Sequence, residues 1–333
     1  MKQAGGKPYH HTARGFRNPP GSPDRQPDFA TKWRFLRRMM RNASQPPPVP
    51  ADHALDRDAV LAGWNALPPG PALLWLGHAA FLLRLGGKTI LLDPYLGEVA
   101  GPIRRFSPRR FVPPALKPEQ LPPLDAVVIS HNHYDHLCVD TMRRLPHRHR
   151  LSVVVPLKLG RFFRRFGFRD VIELDWHDGH ALGDLCITAL PAIHWSKRTL
   201  FDANRTLWAG FALEAEGLRV YFSGDTAYGP VFRKIGERYG PFDYGLVPIG
   251  AYEPQTIMAH HHATPEEAVA IGRDIGARRL VPMHWGTVIL TEEPPFEPPH
   301  RYRAAARQAG YADDDAWLLR IGESRALKPW PQN

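Results

Sequence analysis

The 333-residue chain has only 2 cysteines, little lysine, and no apolar run approaching the roughly 20 residues that span a bilayer. Two cysteines build neither a disulfide framework nor a thiolate zinc site, so any metal falls to histidine and carboxylate. Without a long apolar run no transmembrane helix is expected. Residues 1–20 carry charge but no apolar core and do not read as a secretory signal. A reducing, cytoplasmic setting is the expectation. A hydrophobic fraction of 43% argues against wholesale disorder, and the length allows a sizeable buried core.

Basic charge is plentiful: 43 Lys+Arg against 33 Asp+Glu, net +10, with 34 Arg to 9 Lys. It is lopsided, residues 1–170 summing to +15 and residues 171–333 to −5. One reading is an arginine-rich composition inherited from a GC-rich genome. The other is a surface for an anionic partner, and lipid suits it better than nucleic acid, since no interleaved aromatic and basic platform is evident.

Residues 1–68 read as a basic, Pro-rich N-terminal extension with one short amphipathic helix. That helix is expected over residues 31–42, with Thr31 as N-cap and the Pro-rich stretch 46–50 after it. Trp33, Leu36, Met39 and Met40 share one face; Lys32, Arg34, Arg37, Arg38 and Arg41 lie elsewhere. The pattern fits a helix on a membrane surface or one packed on the body with a solvated basic face. From residue 69 onward, short apolar runs bounded by Gly, Pro, Asp or His predict strands at 73–76, 81–85, 89–92, 126–130, 152–155, 185–190, 218–223 and 280–283. Helices are predicted at 157–166, 231–239, 265–275 and 300–309, the third started by Thr264 and Pro265. Such interspersion implies a layered α/β (α+β) domain over residues 69–333.

The densest chemistry is His131-Asn132-His133-Tyr134-Asp135-His136, directly after the run Ala126–Ile129. A helix would spread these side chains around its circumference and a strand would split them between faces. A loop at the end of a strand can turn them to one point. His194, Asp225 and His284 each follow another apolar run. Seven nitrogen and oxygen donors exceed one tetrahedral zinc and suit two metals sharing a carboxylate and a water. A redox diiron site would favour Glu where His133 stands, so hydrolysis is the expected chemistry.

Together HNHYDH (131–136), His194, Asp225 and His284 resemble the metallo-β-lactamase superfamily, whose H-x-H-x-D-H motif is followed by His, Asp and His. The resemblance implies an αββα four-layer sandwich with two Zn²⁺ at one edge of its paired sheets. His131, His133 and His194 would hold one ion; Asp135, His136 and His284 the other; Asp225 would bridge them. FRNP (16–19), WLGHA (75–79), ISHNHYDHL (129–137), VIELDW (171–176), HWSKRTLFDAN (194–204), GDTAY (224–228), PIGAYEP (248–254), HWGT (284–287) and GESR (322–325) are similar to the N-acyl-phosphatidylethanolamine-hydrolysing phospholipase D family.

That narrower resemblance implies cleavage of a phosphodiester to N-acylethanolamine and phosphatidic acid by a hydroxide shared between the metals, with Asp135 orienting it. His262 or His261 would hydrogen-bond a phosphoryl oxygen or protonate the departing one. At His261 the chain departs from the family, which typically has Gln, so substrate preference is open there. Arg198 would pair with phosphate or form a structural salt bridge, and Tyr252 would line the lipid entrance or belong to the core. The implied partners are the phospholipid and, peripherally, an anionic membrane; a homodimer stays open. The alternatives are a lactonase or soluble phosphodiesterase of the same superfamily, and, last, a non-enzymatic basic protein that binds membrane or nucleic acid.

Overall fold

The computed structural model describes residues 7–23, 28–42 and 47–330. Strands β1 (Ala72–Gly77), β2 (Ala80–Leu85), β3 (Lys88–Leu92), β4 (Ala126–Val128), β5 (Ser152–Pro156) and β6 (Asp170–Leu174) form one sheet. Strands β7 (Gly179–Leu182), β8 (Leu185–Leu190), β9 (Gly210–Ala215), β10 (Leu218–Phe222), β11 (Tyr244–Pro248) and β12 (Arg279–Met283) form the other. The last strand, β13 (Ser324–Ala326), returns to the first sheet and pairs antiparallel with β1. Helices run at α1 (Phe29–Asn42), α2 (Arg57–Ala66), α3 (Val139–Arg144), α4 (Gly160–Arg165), α5 (Val231–Tyr239), α6 (Gln255–Met258), α7 (Pro265–Asp274) and α8 (Pro298–Gln308).

Both sheets are covered on both faces, which is why the strands read as continuous apolar runs. In β1, Leu73 and Trp75 join the core between the sheets, with Phe81, Leu83, Phe211 and Leu213. Leu74 and Leu76 point the other way, into a second core with Val60 and Trp64 of α2, Met142 of α3 and Phe163 of α4. On the far side of the second sheet, Phe232 and Ile235 of α5, Ile271 of α7 and Tyr302 of α8 close the layer. The result is the helix–sheet–sheet–helix sandwich that the resemblance implied. Each fully buried leucine of these strands, Leu74 for one, contributes roughly 2–5 kcal/mol against truncation to alanine.

Strand directions gather the site. β1 and β3 both pair antiparallel with β2, while β3, β4, β5 and β6 are mutually parallel. In the second sheet β10, β11 and β12 are parallel, and β8 is related to β10 through the antiparallel β9. The carboxyl ends of β1, β3, β4, β8, β10 and β12 therefore emerge at the same edge of their sheets.

The expected start of α7 is realised: Thr264 Oγ1 accepts the Glu267 N–H at 3.2 Å and the Glu267 carboxylate accepts the Thr264 N–H at 2.9 Å. The expected cap of α1 is corrected. That helix begins at Phe29, and Asp28 Oδ1 accepts the Thr31 N–H at 2.6 Å, so aspartate caps and threonine lies inside the first turn. Trp33 is half exposed, and Arg38 pairs with Glu292 at 2.7 Å. The side chains of Lys32, Leu36, Met39, Met40 and Arg41 lie outside the described residues. Strands β6, β7, β9, β11 and β13 were not among those predicted; Gly, Pro or charged residues break their apolar patterns.

Residues 7–23 lie along the body. Phe16 is buried in the core between the sheets, and His10 and His11 both donate to the Asp175 carboxylate just after β6.

Candidate metal centre

His131, His133, Asp135 and His136 sit on the turn between β4 and α3, where the Leu137 N–H donates to the His133 carbonyl at 2.8 Å. His194 follows β8, and His284 follows β12 in a left-handed conformation (φ 66°). Asp225 follows β10 through Ser223 and Gly224. A Cβ on Gly224 would lie 2.5 Å from that of Ser130, and its φ is +57°, so glycine alone lets the two loops meet.

Asp225 is the hub. Its Oδ2 lies 3.0 Å from His136 Nε2, 3.3 Å from His284 Nε2, 3.8 Å from His194 Nε2, 3.9 Å from His131 Nε2 and 4.0 Å from His262 Nδ1. Around it stand, among others, two groups that could hold a metal ion: His131, His133 and His194; and His78, Asp135, His136 and His284. Asp135 Oδ2 lies 3.4 Å from His284 Nε2 and accepts from His78 Nε2 at 3.0 Å.

Outward-facing ring nitrogens fix which nitrogens face inward. His194 Nδ1 donates to the His261 carbonyl at 2.8 Å. His131 Nδ1 donates to Ser130 Oγ at 2.8 Å, and that hydroxyl donates to Asp93. Asp93 also accepts from His136 Nδ1 at 2.7 Å. The inward nitrogens of His131 and His194 are consequently lone pairs, and both face His133 Nδ1, at 2.9 and 3.2 Å. His136 Nε2, His284 Nε2 and Asp225 Oδ1 are buried without a hydrogen-bond partner. Buried nitrogens and a carboxylate oxygen left unpartnered around one point are satisfied by cations, and the donor set suits zinc. The residues present fit two such ions.

The electrostatics agree. Desolvation holds His131 and His194 well below the ordinary imidazole range and takes His133 and His262 to about 4 and His78 and His261 to about 3. At His136 and His284 the same desolvation is outweighed by the Asp225 and Asp135 carboxylates; His136 rises well above its usual value and His284 to about 9. Burial pushes Asp135 and Asp225 up, but neighbouring imidazoles, His136 foremost, hold both well below the carboxylate range. Positive charge is thus drawn to the place between these carboxylates, where divalent ions would supply it.

All seven sequence-predicted ligands, with His261 and His262, converge here. Arg198 and Tyr252 are placed differently. Arg198 Nη1 donates to the carbonyls of Asn132 at 2.6 Å and Leu137 at 2.8 Å, and its guanidinium lies 3.8 Å from the Tyr134 ring centroid, so it braces the loop from inside the protein. Tyr252 is fully buried and its hydroxyl donates to Glu297 at 2.9 Å. His78 and Asp93 also lie at the site, through Asp135 and His136, and the sequence pattern does not mark them. Each ends an apolar strand as the chosen ligands do, but neither sits beside a second polar candidate.

A model of the β-lactamase superfamily domain matches residues 88–285. The chain belongs to that superfamily. An uncharacterized protein of Mycobacterium tuberculosis (strain H37Rv) is 42% identical over 240 residues, 71% of this chain and 64% of that protein. The N-acyl-phosphatidylethanolamine-hydrolyzing phospholipase D 1 of Caenorhabditis elegans is 40% identical over 224 residues, 64% of this chain and 63% of that protein. The chain thus spans just under two-thirds of the length of both. A metal-dependent hydrolase of Rubrobacter xylanophilus is 32% identical over 72% of this chain and 90% of its own. Among solved structures, a metallo hydrolase from Ignicoccus hospitalis aligns with TM-score 0.57 at 24% identity, covering 78% of this chain and 98% of that one. The diiron β-hydroxylase CmlA from Streptomyces venezuelae aligns with TM-score 0.56 at 24% identity, covering 79% and 55%. Likeness at that identity establishes the fold alone.

Proposed function

We propose that this metal-dependent hydrolase of the superfamily holds two zinc ions and cleaves the phosphodiester of N-acyl-phosphatidylethanolamine, or a close phospholipid, on the phospholipase D side. The observation that carries the reading is the single Asp225 oxygen ringed by five imidazole nitrogens within 4.0 Å, between two complete ligand groups. The 40% identity to the nematode phospholipase D supports the choice of substrate. Two divalent ions held there would lower the pKa of a shared water toward neutrality and neutralise charge on phosphoryl oxygens.

The chain's own groups divide the remaining work. His131, His133 and His194 would hold one ion and Asp135, His136 and His284 the other, with Asp225 between them. Asp135, fixed by His78, would take and orient the proton of the attacking water. His262 Nδ1 is buried, has no hydrogen-bond partner and lies on the Asp225 side of the centre, where a neutral imidazole would hydrogen-bond a phosphoryl oxygen. His261 Nδ1 is likewise unpartnered, with its ring 5.5 Å from that of Trp195.

Among the described residues no helix is long and apolar enough to cross a membrane. Contact with an anionic lipid surface is supported by Phe106, Leu200 and Phe201, each about 80% exposed and accompanied in sequence by Arg104, Arg105 and Arg205.

The test is incubation of zinc-loaded protein with N-acyl-phosphatidylethanolamine in mixed micelles, assayed for phosphatidic acid beside Asp135→Asn and His284→Ala. Product from wild type, lost by about 100-fold or more in the variants, is expected. Turnover of a lactone or a cyclic nucleotide instead would overturn the substrate assignment.

A further inference from the structure

The N-terminal arm reaches the metal centre from the outside. Asn18 Oδ1 accepts the backbone N–H of His194 at 2.9 Å and the indole N–H of Trp208 at 3.1 Å. Trp208 Nε1 also donates to the Ala192 carbonyl at 2.9 Å, so one side chain of the arm and one buried indole grip both sides of the turn that presents His194. Two residues earlier, the Phe16 N–H donates to the Asn204 carbonyl at 2.8 Å, and Asn204 in turn donates its N–H to Ser196 at 2.7 Å. A Cβ on Gly15 would lie 2.0 Å from that same Asn204 carbonyl, so only glycine allows the arm to lie this close.

Upstream, the arm is clasped twice. His10 and His11 donate to opposite oxygens of Asp175, at 2.5 and 2.8 Å. The His10 ring stacks on Trp176 at 4.2 Å, whose indole N–H donates to the Trp208 carbonyl at 2.7 Å. Clasp, indole pair and Asn18 form one connected path from the arm to His194.

We propose that residues 8–18 are a positioning element of the metal centre and that Asn18 is the residue through which they act on His194. The arm's contribution is to the rigidity of a ligand rather than to charge at a lipid surface. A backbone N–H left without its acceptor frees the turn to rotate, and groups that orient metal ligands are worth roughly 10- to 100-fold in affinity.

The inference rests on His194 being a ligand, so the experiment separates the two. In the full chain, wild type, Asn18→Ala, Asn18→Asp and His194→Ala are compared by chelator competition for zinc and by the visible spectrum of the cobalt-substituted protein. Asn18→Ala is expected to weaken one of the two ions about 10- to 100-fold and leave the other within about twofold, with a melting temperature close to wild type. Asn18→Asp keeps an acceptor oxygen and is expected to restore most of the affinity. Wild-type affinities and spectrum in Asn18→Ala, while His194→Ala loses an ion, would overturn the role of the arm. Wild-type binding in His194→Ala would overturn the ligand assignment beneath it.

Discussion

Asp93 accepts a hydrogen bond from His136 Nδ1 at 2.7 Å, with both side chains wholly excluded from solvent. The same carboxylate accepts the Ser130 N–H at 2.7 Å and the Ser130 hydroxyl. One aspartate therefore sets the ring orientation of His136 directly and that of His131 through Ser130, joining the two ligand groups. Asp93→Asn keeps the shape but offers the His136 N–H only one acceptor oxygen and no charge. Its metal affinity is expected to fall about 10- to 100-fold. Chelator competition measures this, and affinities within twofold of wild type would show that Asp93 is a packing residue only.

His78 Nδ1 lies 3.0 Å from Thr287 Oγ1 while Nε2 donates to Asp135, so the imidazole is anchored at both ends. Replacing it by alanine leaves Asp135 held by fewer partners and opens space beside His284, whose ring lies 4.0 Å away. His78→Ala is expected to retain the ion of the His131, His133 and His194 group and to lose the other. Metal analysis after dialysis would then return about one equivalent instead of two. Two equivalents would contradict it.

Asp175 ties pH to the arm. Desolvation raises its pKa, but hydrogen bonds from His10 and the Trp176 N–H outweigh this and hold it below its ordinary value of 3.8. A carboxylate lowered by folding contributes stability that is present above its unfolded value and is lost as pH falls through the folded one. As pH falls below 3.8 and through that lowered value, the clasp is expected to loosen, with amide exchange in residues 8–18 accelerating before the sheets exchange. Asp175→Asn should show the fast exchange at neutral pH already. Arm protection unchanged by the substitution would refute the clasp.

Much of the centre was legible because its signals are local. Three imidazoles and a carboxylate fall within six residues after an apolar run, and His194, Asp225 and His284 repeat the same context. His78 and Asp93 were not, because a lone polar residue after a strand gains meaning only from the directions of β1, β3 and β4, which no short window displays. Asn18 is further removed: FRNP carries the family resemblance, but the partner of its asparagine lies 176 residues away. The α/β layering followed from runs such as Leu73–Leu76, whereas β9 and β11 escaped because Glu214 and Gly245 interrupt their patterns. Arg198 shows the opposite limit. Charge near a site suggests an anion partner, whereas in the fold its hydrogen bonds go to the loop's own carbonyls.

The return of β13 to pair with β1 bears on how the molecule comes into being. The sheet that supplies His78, Asp93 and His131 keeps an open edge until Ser324–Ala326 have left the ribosome, and His284 comes late from the other sheet. Until β12 docks beside β11, the chain therefore holds only a partial set of candidate ligands. The donor set is thus completed by closing the second sheet, not by forming the HNHYDH turn alone.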